Sequence, residues 1–320
     1  MSYFLGLRLM AKPAPMDVAG LQFRLVSWYA QNARELPWRG SANPYAILVS
    51  EVMLQQTQVD RVIPKYLAFL EAFPTLKVLA AAELGSVIRL WTGLGYNVRA
   101  VRLHQLSQLV VDKHGGSLPT TVDELRCLPG IGPYTASAVA CFAFGAHTPV
   151  FDTNVYRVVS RVAFGATAPT RQEVEPVAAA LLPFGEASAW QQGLMDVGAT
   201  ICSLSRPKCM LCPLREHCKA APYLQSGGER QLAEASVPYV AKQSTFVGST
   251  RYYRGRIVAT LGLRPSGTSM SLDELRRAVE DDSSHDKEEG WLWSLVNRLV
   301  RDGLVKLDSE TQGSVRVTLP

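Results

Sequence analysis

Residues 202–218 read "CSLSRPKCMLCPLREHC" and hold four of the six cysteines of the chain. Cys202, Cys209, Cys212 and Cys218 are spaced C-x6-C-x2-C-x5-C. Four thiolates this close can wrap one metal centre, either a tetrahedral zinc or the corners of a [4Fe–4S] cube. Ligand type alone leaves both open. The N-terminal "MSYFLGLRLMAKPAPM" has a short apolar stretch and no convincing cleavage site, so the expectation is a protein that is not secreted, with Met10 or Met16 equally able to be its start. Its cysteines are then expected to be reduced ligands rather than disulfides. Cys127 and Cys141 fall in apolar helical stretches and are expected in the core.

Two carboxylates stand out. Glu51 follows Ile47 by four residues and Leu48 by three, which puts it at the edge of a helical apolar stripe. A carboxylate there is either paired with an arginine or desolvated, with its proton held more tightly. Asp152 directly precedes "TNVYRVVSRVAF", where its simplest role is an N-cap. A cap at a helix mouth also points into whatever cleft lies there, so the two roles are compatible. Between them, "LPGIGPYTASAVACFAFG" starts at Leu128. Gly130 and Gly132 permit positive φ and close backbone approach, and the turn feeds a helix start whose free N–H groups favour an anion such as a DNA phosphate. "PGIG" alone is also a common turn.

These residues must be positioned by helices. The chain has 320 residues, 47% hydrophobic and 19% charged, with a net charge of +5 and no apolar run long enough to span a membrane. The mild basic balance leans toward an anionic partner. From Met16 to about Tyr223 the pattern is helices joined by short loops. "PYAILVSEVMLQQT" opens with Pro44 at a helix start, and Val155, Val158, Val159 and Val162 share one helical face. Residues 224–250 are expected to be a linker. The last seventy residues read as three helices, the second opened by a Ser271–Glu274 capping box and the third ending at Gly303, then a hairpin across Thr311, Gln312 and Gly313. That is the order of a winged helix. The expected fold class is therefore mainly α, with a helical domain over 16–223 and a winged-helix-like domain over 251–320.

The cysteine spacing, with Arg206 and Lys208 inside its longest loop, resembles the cluster loop of the endonuclease III-like DNA glycosylases. "LPGIGPYTASAV", with Leu125 upstream and Ala136, Ala138 and Ala140 in its helix, resembles the helix-hairpin-helix of that superfamily. "LPWR", "SEVMLQQTQV", "WTGLGY" and "GLMDVGATIC" narrow the resemblance to the MutY family of adenine DNA glycosylases, over roughly residues 20 to 222. The resemblance implies a helix-hairpin-helix glycosylase fold, a [4Fe–4S] cluster on the four cysteines, and removal of adenine mispaired with 8-oxoguanine or guanine. Glu51 would protonate adenine N7 and then activate or orient water. Asp152 would stabilise the developing sugar cation, with Asn154 holding the hydrogen bonds of the site. Tyr134 stands where bifunctional relatives have a nucleophilic lysine, and a phenol cannot form a Schiff base, so a monofunctional enzyme is expected. Trp38 and Arg39 would line the base pocket. Gln56 and Tyr96 would insert into the duplex, Leu54 would contact it, and Gly130, Gly132, Arg206 and Lys208 would meet DNA.

The chain departs from the family pattern at Asn97, where a second tyrosine is frequent, at Thr153, where glycine is common, and in its C-terminal part, which does not look like a NUDIX-like domain. That part still carries Arg251, Arg254 and Arg256 among tyrosines, and Arg298 and Arg301, against an acidic "SSHDKEE". The expected partner is double-stranded DNA bearing a mismatch or oxidised guanine, bound by a monomer with no membrane association, in a bacterial-type cytoplasm at the nucleoid. The alternatives are a T:G or U:G mismatch glycosylase, a non-catalytic DNA-binding protein that keeps the cluster, and a zinc-dependent regulator.

Overall fold

The computed structural model describes residues 16–225, 245–281, 290–309 and 315–320. The helices in chain order are α1 (Val18–Asn32), α2 (Pro44–Leu54), α3 (Val59–Ala72), α4 (Leu76–Ala81) and α5 (Leu84–Trp91). Next come α6 (Val98–His114), α7 (Val122–Arg126), α8 (Pro133–Phe144), α9 (Thr153–Phe164), α10 (Arg171–Ala180) and α11 (Ala187–Thr200). After two short 3-10 turns follow α12 (Ala221–Gln225), α13 (Thr250–Gly262), strand β1 (Met270–Ser271), α14 (Leu272–Val279), α15 (Trp291–Arg301), β2 (Lys306–Ser309) and β3 (Val315–Thr318). Local chemistry sets many of these boundaries. Asp17, Asn43, Thr75, Thr121, Asp152, Ser249 and Ser271 each cap a helix by accepting from an N–H of its first turn. Gly115 and Gly145 end α6 and α8 in the left-handed conformation. Among the described residues no helix is long and apolar enough to cross a membrane.

The chain divides into two compact units, Met1–Ala33 with Phe151–Ser236, and Arg34–Val150 with Val237–Pro320. In the first unit α1 and α9 pack on α11, and α10 packs on α9. The stripe of Val155, Val158, Val159 and Val162 is buried. Gly193 of α11 faces α1 so closely that a Cβ would lie 3.2 Å from Leu25 Cγ, which explains a helix-interior glycine there.

The core of the second unit is built on α2, which is wrapped by α3, α6 and α8. Every residue from Tyr45 to Met53 is buried. Glu51 therefore has no stripe edge to sit on: the helix is enclosed on all faces, and its carboxylate is inside. Phe69 and Trp91, edge-on at 5.9 Å between ring centroids, fill the adjoining core with Leu48, Leu103 and Val139. One expectation fails here. Cys141 is buried, whereas Cys127 is exposed, because α7 stops after five residues and Cys127 falls in its C-terminal turn.

The same unit contains the C-terminal elements. β1, β3 and β2 form an antiparallel sheet in that order, with Val317 opposite both Met270 and Leu307. Ile257, Leu261, Leu275, Leu299 and Val317 pack in one cluster with Ile88 of α5 and Val101 of α6. Gly85 N donates to Pro320 O at 2.9 Å, so the chain end is tied to the start of α5. Most of the linker, the acidic stretch and the hairpin turn fall within 226–244, 282–289 and 310–314, outside the described residues.

A shared core makes the C-terminal elements stabilise α5 and α6. Ile257→Ala removes a fully buried side chain and is expected to cost roughly 2–4 kcal/mol by urea denaturation. The α5–α6 region should lose hydrogen-exchange protection in the same variant. A C-terminal part that loosened alone would show that the two do not share a core.

Candidate active site

Asp152 caps α9 by accepting from Val155 N at 2.7 Å through Oδ1. Its other oxygen, Oδ2, accepts from Asn154 Nδ2 at 2.9 Å. Asn154 Oδ1 in turn accepts from Arg157 Nη2 at 2.8 Å, and the same guanidinium donates to Gly198 O and to Cys202 O, the latter through Nε at 2.8 Å. A continuous chain of hydrogen bonds thus runs from the Asp152 carboxylate to the first cysteine. Gly198 makes room for it, since a Cβ there would sit 2.6 Å from Asn154 Cβ.

One turn further along α9, Arg161 is buried and donates to Ser203 O at 2.7 Å, Leu204 O at 2.9 Å and Cys202 Sγ at 3.3 Å. Cys202, Cys209, Cys212 and Cys218 line one cavity with Arg161 and Arg215. Burial pushes the Cys212 thiol up to about 12 and the Cys218 thiol up to about 11, so a metal must displace those protons. No group of three or more His, Cys, Asp or Glu side chains among the described residues is placed to hold a metal ion. The donor set is four sulfurs around a shared void, with a cation against one of them. Thiolate sulfur with a cation beside it fits the ligand chemistry of an iron–sulfur centre, as it does that of a four-cysteine zinc. Arg206 and Lys208 are exposed on this loop.

In the other unit, Arg99 organises the turn after α2. Its Nη1 donates to Val52 O, Met53 O and Gln55 O at 2.8, 3.0 and 2.8 Å. Its Nη2 donates to Thr57 Oγ1 and Gly95 O, and its Nε to Tyr96 O. The cation thus satisfies carbonyls that the end of α2 leaves open and meets the negative end of its dipole. Burial lowers the guanidinium to about 10, still charged at neutral pH. Among the described residues, the two non-glycine residues with positive φ, Gln56 at 55° and Tyr96 at 46°, lie in the two turns that Arg99 joins. Both are exposed. Strain of this kind collects at functional positions and persists where the surroundings over-determine it.

The remaining expected residues are placed as follows. Trp38 is buried edge-on to Tyr66 at 5.3 Å, Arg39 is half-buried, and Leu54 packs against the core. The 127–132 turn joins α7 to α8. Gly130 has φ +78°, and a Cβ there would meet Arg102 Cβ at 2.9 Å. Gly132 has φ −89°, so it does not use the positive region; as N-cap of α8 it makes no side-chain cap bond, which leaves the helix mouth open to an anion. Tyr134 is half-buried in the first turn of α8. Glu51 and Asp152 belong to different units.

Residues 49–183 match the HhH-GPD superfamily base excision DNA repair protein model. The chain is 38% identical over 286 residues to the adenine DNA glycosylase of Mycolicibacterium smegmatis, covering 88% of this chain and 91% of that one. The chain belongs to the adenine DNA glycosylase family. It is a DNA glycosylase of base excision repair. The glycosylase is also 39% identical to the Mycobacterium tuberculosis H37Rv protein of that name, over 74% of its own length and 77% of the relative's. Among solved structures, a thermostable thymine-DNA glycosylase is 27% identical with a TM-score of 0.59, covering 64% of this chain and 97% of that one. A non-covalent endonuclease III–DNA complex, 24% identical with a TM-score of 0.55 and covering 66% and 100%, shares the fold.

Sequence reasoning missed Arg99, Arg157 and Arg161. A trace was present for the last two: they sit three and seven residues after Asn154, where one expects only a solvated polar face. Arg99→Met leaves five carbonyls, those of Val52 and Met53 buried, without their donor and is expected to cost the glycosylase on the order of 3 kcal/mol in urea. Arg157→Met should lower single-turnover base release by about 10- to 100-fold with the far-UV spectrum unchanged, because Asn154 and Asp152 lose their anchor. Base release at the unaltered rate would show that the hydrogen-bond chain positions nothing.

Proposed function

We propose that this glycosylase hydrolyses the N-glycosidic bond of adenine mispaired with 8-oxoguanine or guanine in duplex DNA. One observation carries the reading. A glutamate is enclosed in the apolar wall of α2, 7% exposed, while a second carboxylate stands at a helix mouth with both oxygens held by N–H donors. Two carboxyls in such different settings divide the work of glycoside cleavage.

Departure of a purine needs protonation at a ring nitrogen, and Glu51 supplies that proton to N7 from its buried position. Asp152, pinned by Val155 N and Asn154 Nδ2, faces the sugar and stabilises the oxocarbenium-like charge as the bond breaks. Glu51, now ionised, takes a proton from the attacking water. Trp38 and Arg39 line the base pocket, while Gln56, Leu54 and Tyr96 contact the duplex. Tyr134 has no amine for a Schiff base, so the enzyme is monofunctional, with at most weak strand nicking. The α8 N-terminus at Gly132, with Gly130 in the turn before it, takes a phosphate without reading sequence. Arg206 and Lys208 do the same from the cysteine loop. Cys202, Cys209, Cys212 and Cys218 hold a [4Fe–4S] cluster, which when bound clamps this loop as a structural centre. The C-terminal elements form a winged-helix-like domain, and the protein works as a monomer.

Base release is measured at single turnover on A:8-oxoG, A:G, A:C, T:G and U:G duplexes. Adenine leaves the first two, and Glu51→Gln slows it by about 100- to 10,000-fold. Thymine or uracil release instead would reassign the enzyme to the mismatch class. The purified protein is also expected to be brown, with visible absorbance from the cluster; a colourless protein with stoichiometric zinc would reject that part of the reading.

A further inference from the structure

Within the Arg34–Val150 and Val237–Pro320 unit lies a cavity of about 470 Å³ between the 93–98 turn and α13. Its volume falls within the roughly 300–1,000 Å³ of sites that enclose a small molecule. Four guanidinium groups line it, those of Arg61, Arg251, Arg254 and Arg256, and no carboxylate does among the described residues. Two are held from behind: Arg254 pairs with Asp302, and Arg256 with Asp281. Arg256 also lies over the Tyr252 ring at 5.5 Å. Aromatic faces complete the wall. Tyr96 is 46% exposed and Phe246 59%, and Phe246 meets Tyr252 edge-on at 5.6 Å.

One further feature marks the cavity as open. Gly255 lines it from the interior of α13, where a Cβ would meet nothing within 4 Å and φ is not in the left-handed region. A glycine in mid-helix weakens the helix relative to alanine, and no crowding or backbone need accounts for this one. Cationic guanidinium groups and aromatic faces around one cavity are complementary to a nucleotide: phosphate to the cations, base to the ring faces.

We propose that this cavity seats a nucleotide unit of the bound DNA, with its phosphate on Arg61 and Arg251 and its base against Tyr96, Tyr252 and Phe246. The inference rests on the reading of Tyr96 as a residue that enters the duplex, since Tyr96 forms part of the same wall. It gives the C-terminal elements a direct role in holding substrate.

Gly255→Leu fills the cavity while removing no contact. In the full-length protein the expected result is a Tm at or above that of the unaltered protein, together with a Kd for a 30-base-pair A:G duplex about tenfold weaker. Arg251→Gln should weaken the same duplex and reduce the slope of log Kd against log salt by about one. A Gly255→Leu protein with unaltered Kd overturns the proposal, as does loss of free dGMP binding in that variant with duplex binding intact, which would make the cavity a mononucleotide site. Adenine release is scored separately: a protein that releases no base yet shows the Gly255→Leu binding loss keeps this inference and loses the catalytic reading.

Discussion

The Arg99 guanidinium is buried at the end of α2 and donates to five main-chain carbonyl oxygens and the Thr57 hydroxyl. Helix ends strand carbonyls, and a buried helix end cannot turn them to water. A flat cation with five N–H donors solves that problem at one point. Because it also binds Gly95 O and Tyr96 O, the turn that carries Gln56 and the turn that carries Tyr96 become one rigid piece. Their positive φ angles are affordable only inside such a piece.

The other unit uses the same device twice. Arg157 and Arg161 leave α9 one turn apart and both end on the cysteine loop, through Cys202 O in one case and Ser203 O and Leu204 O in the other. Arg157 couples that loop to the Asn154–Asp152 pair. The position of the carboxylate is therefore set by a loop fifty residues away, and anything that disorders the loop reaches Asp152 through hydrogen bonds.

The C-terminal elements share a hydrophobic cluster with α5 and α6, and Pro320 O accepts from Gly85 N. Packing of this kind, unlike a tether through a linker, fixes where α13 stands relative to the 93–98 turn. Arginines of α13 and the aromatic rings of both segments then face a common cavity. Gly255 of α13 leaves open space on its side of that cavity.

Much of this was legible in the amino-acid sequence. Caps and breakers mark helix boundaries by chemistry local to a few residues, so Asp152 before α9, the Ser271–Glu274 box and the valine stripe could be read directly. The four-cysteine spacing named a ligand set, and short motifs named a family. What the sequence could not determine is which polar side chains would be turned inward. Arg99, Arg157 and Arg161 look like any solvated arginine along the chain, and Glu51 like a residue at a stripe edge. Cys127 shows the converse, an apolar position that a short helix leaves outside. Burial depends on which helices surround a given one, and hydrogen-bond partners separated by more than forty residues meet only after those helices have packed. Only the tertiary structure therefore decided that three arginines, rather than water, satisfy the carbonyls around the site.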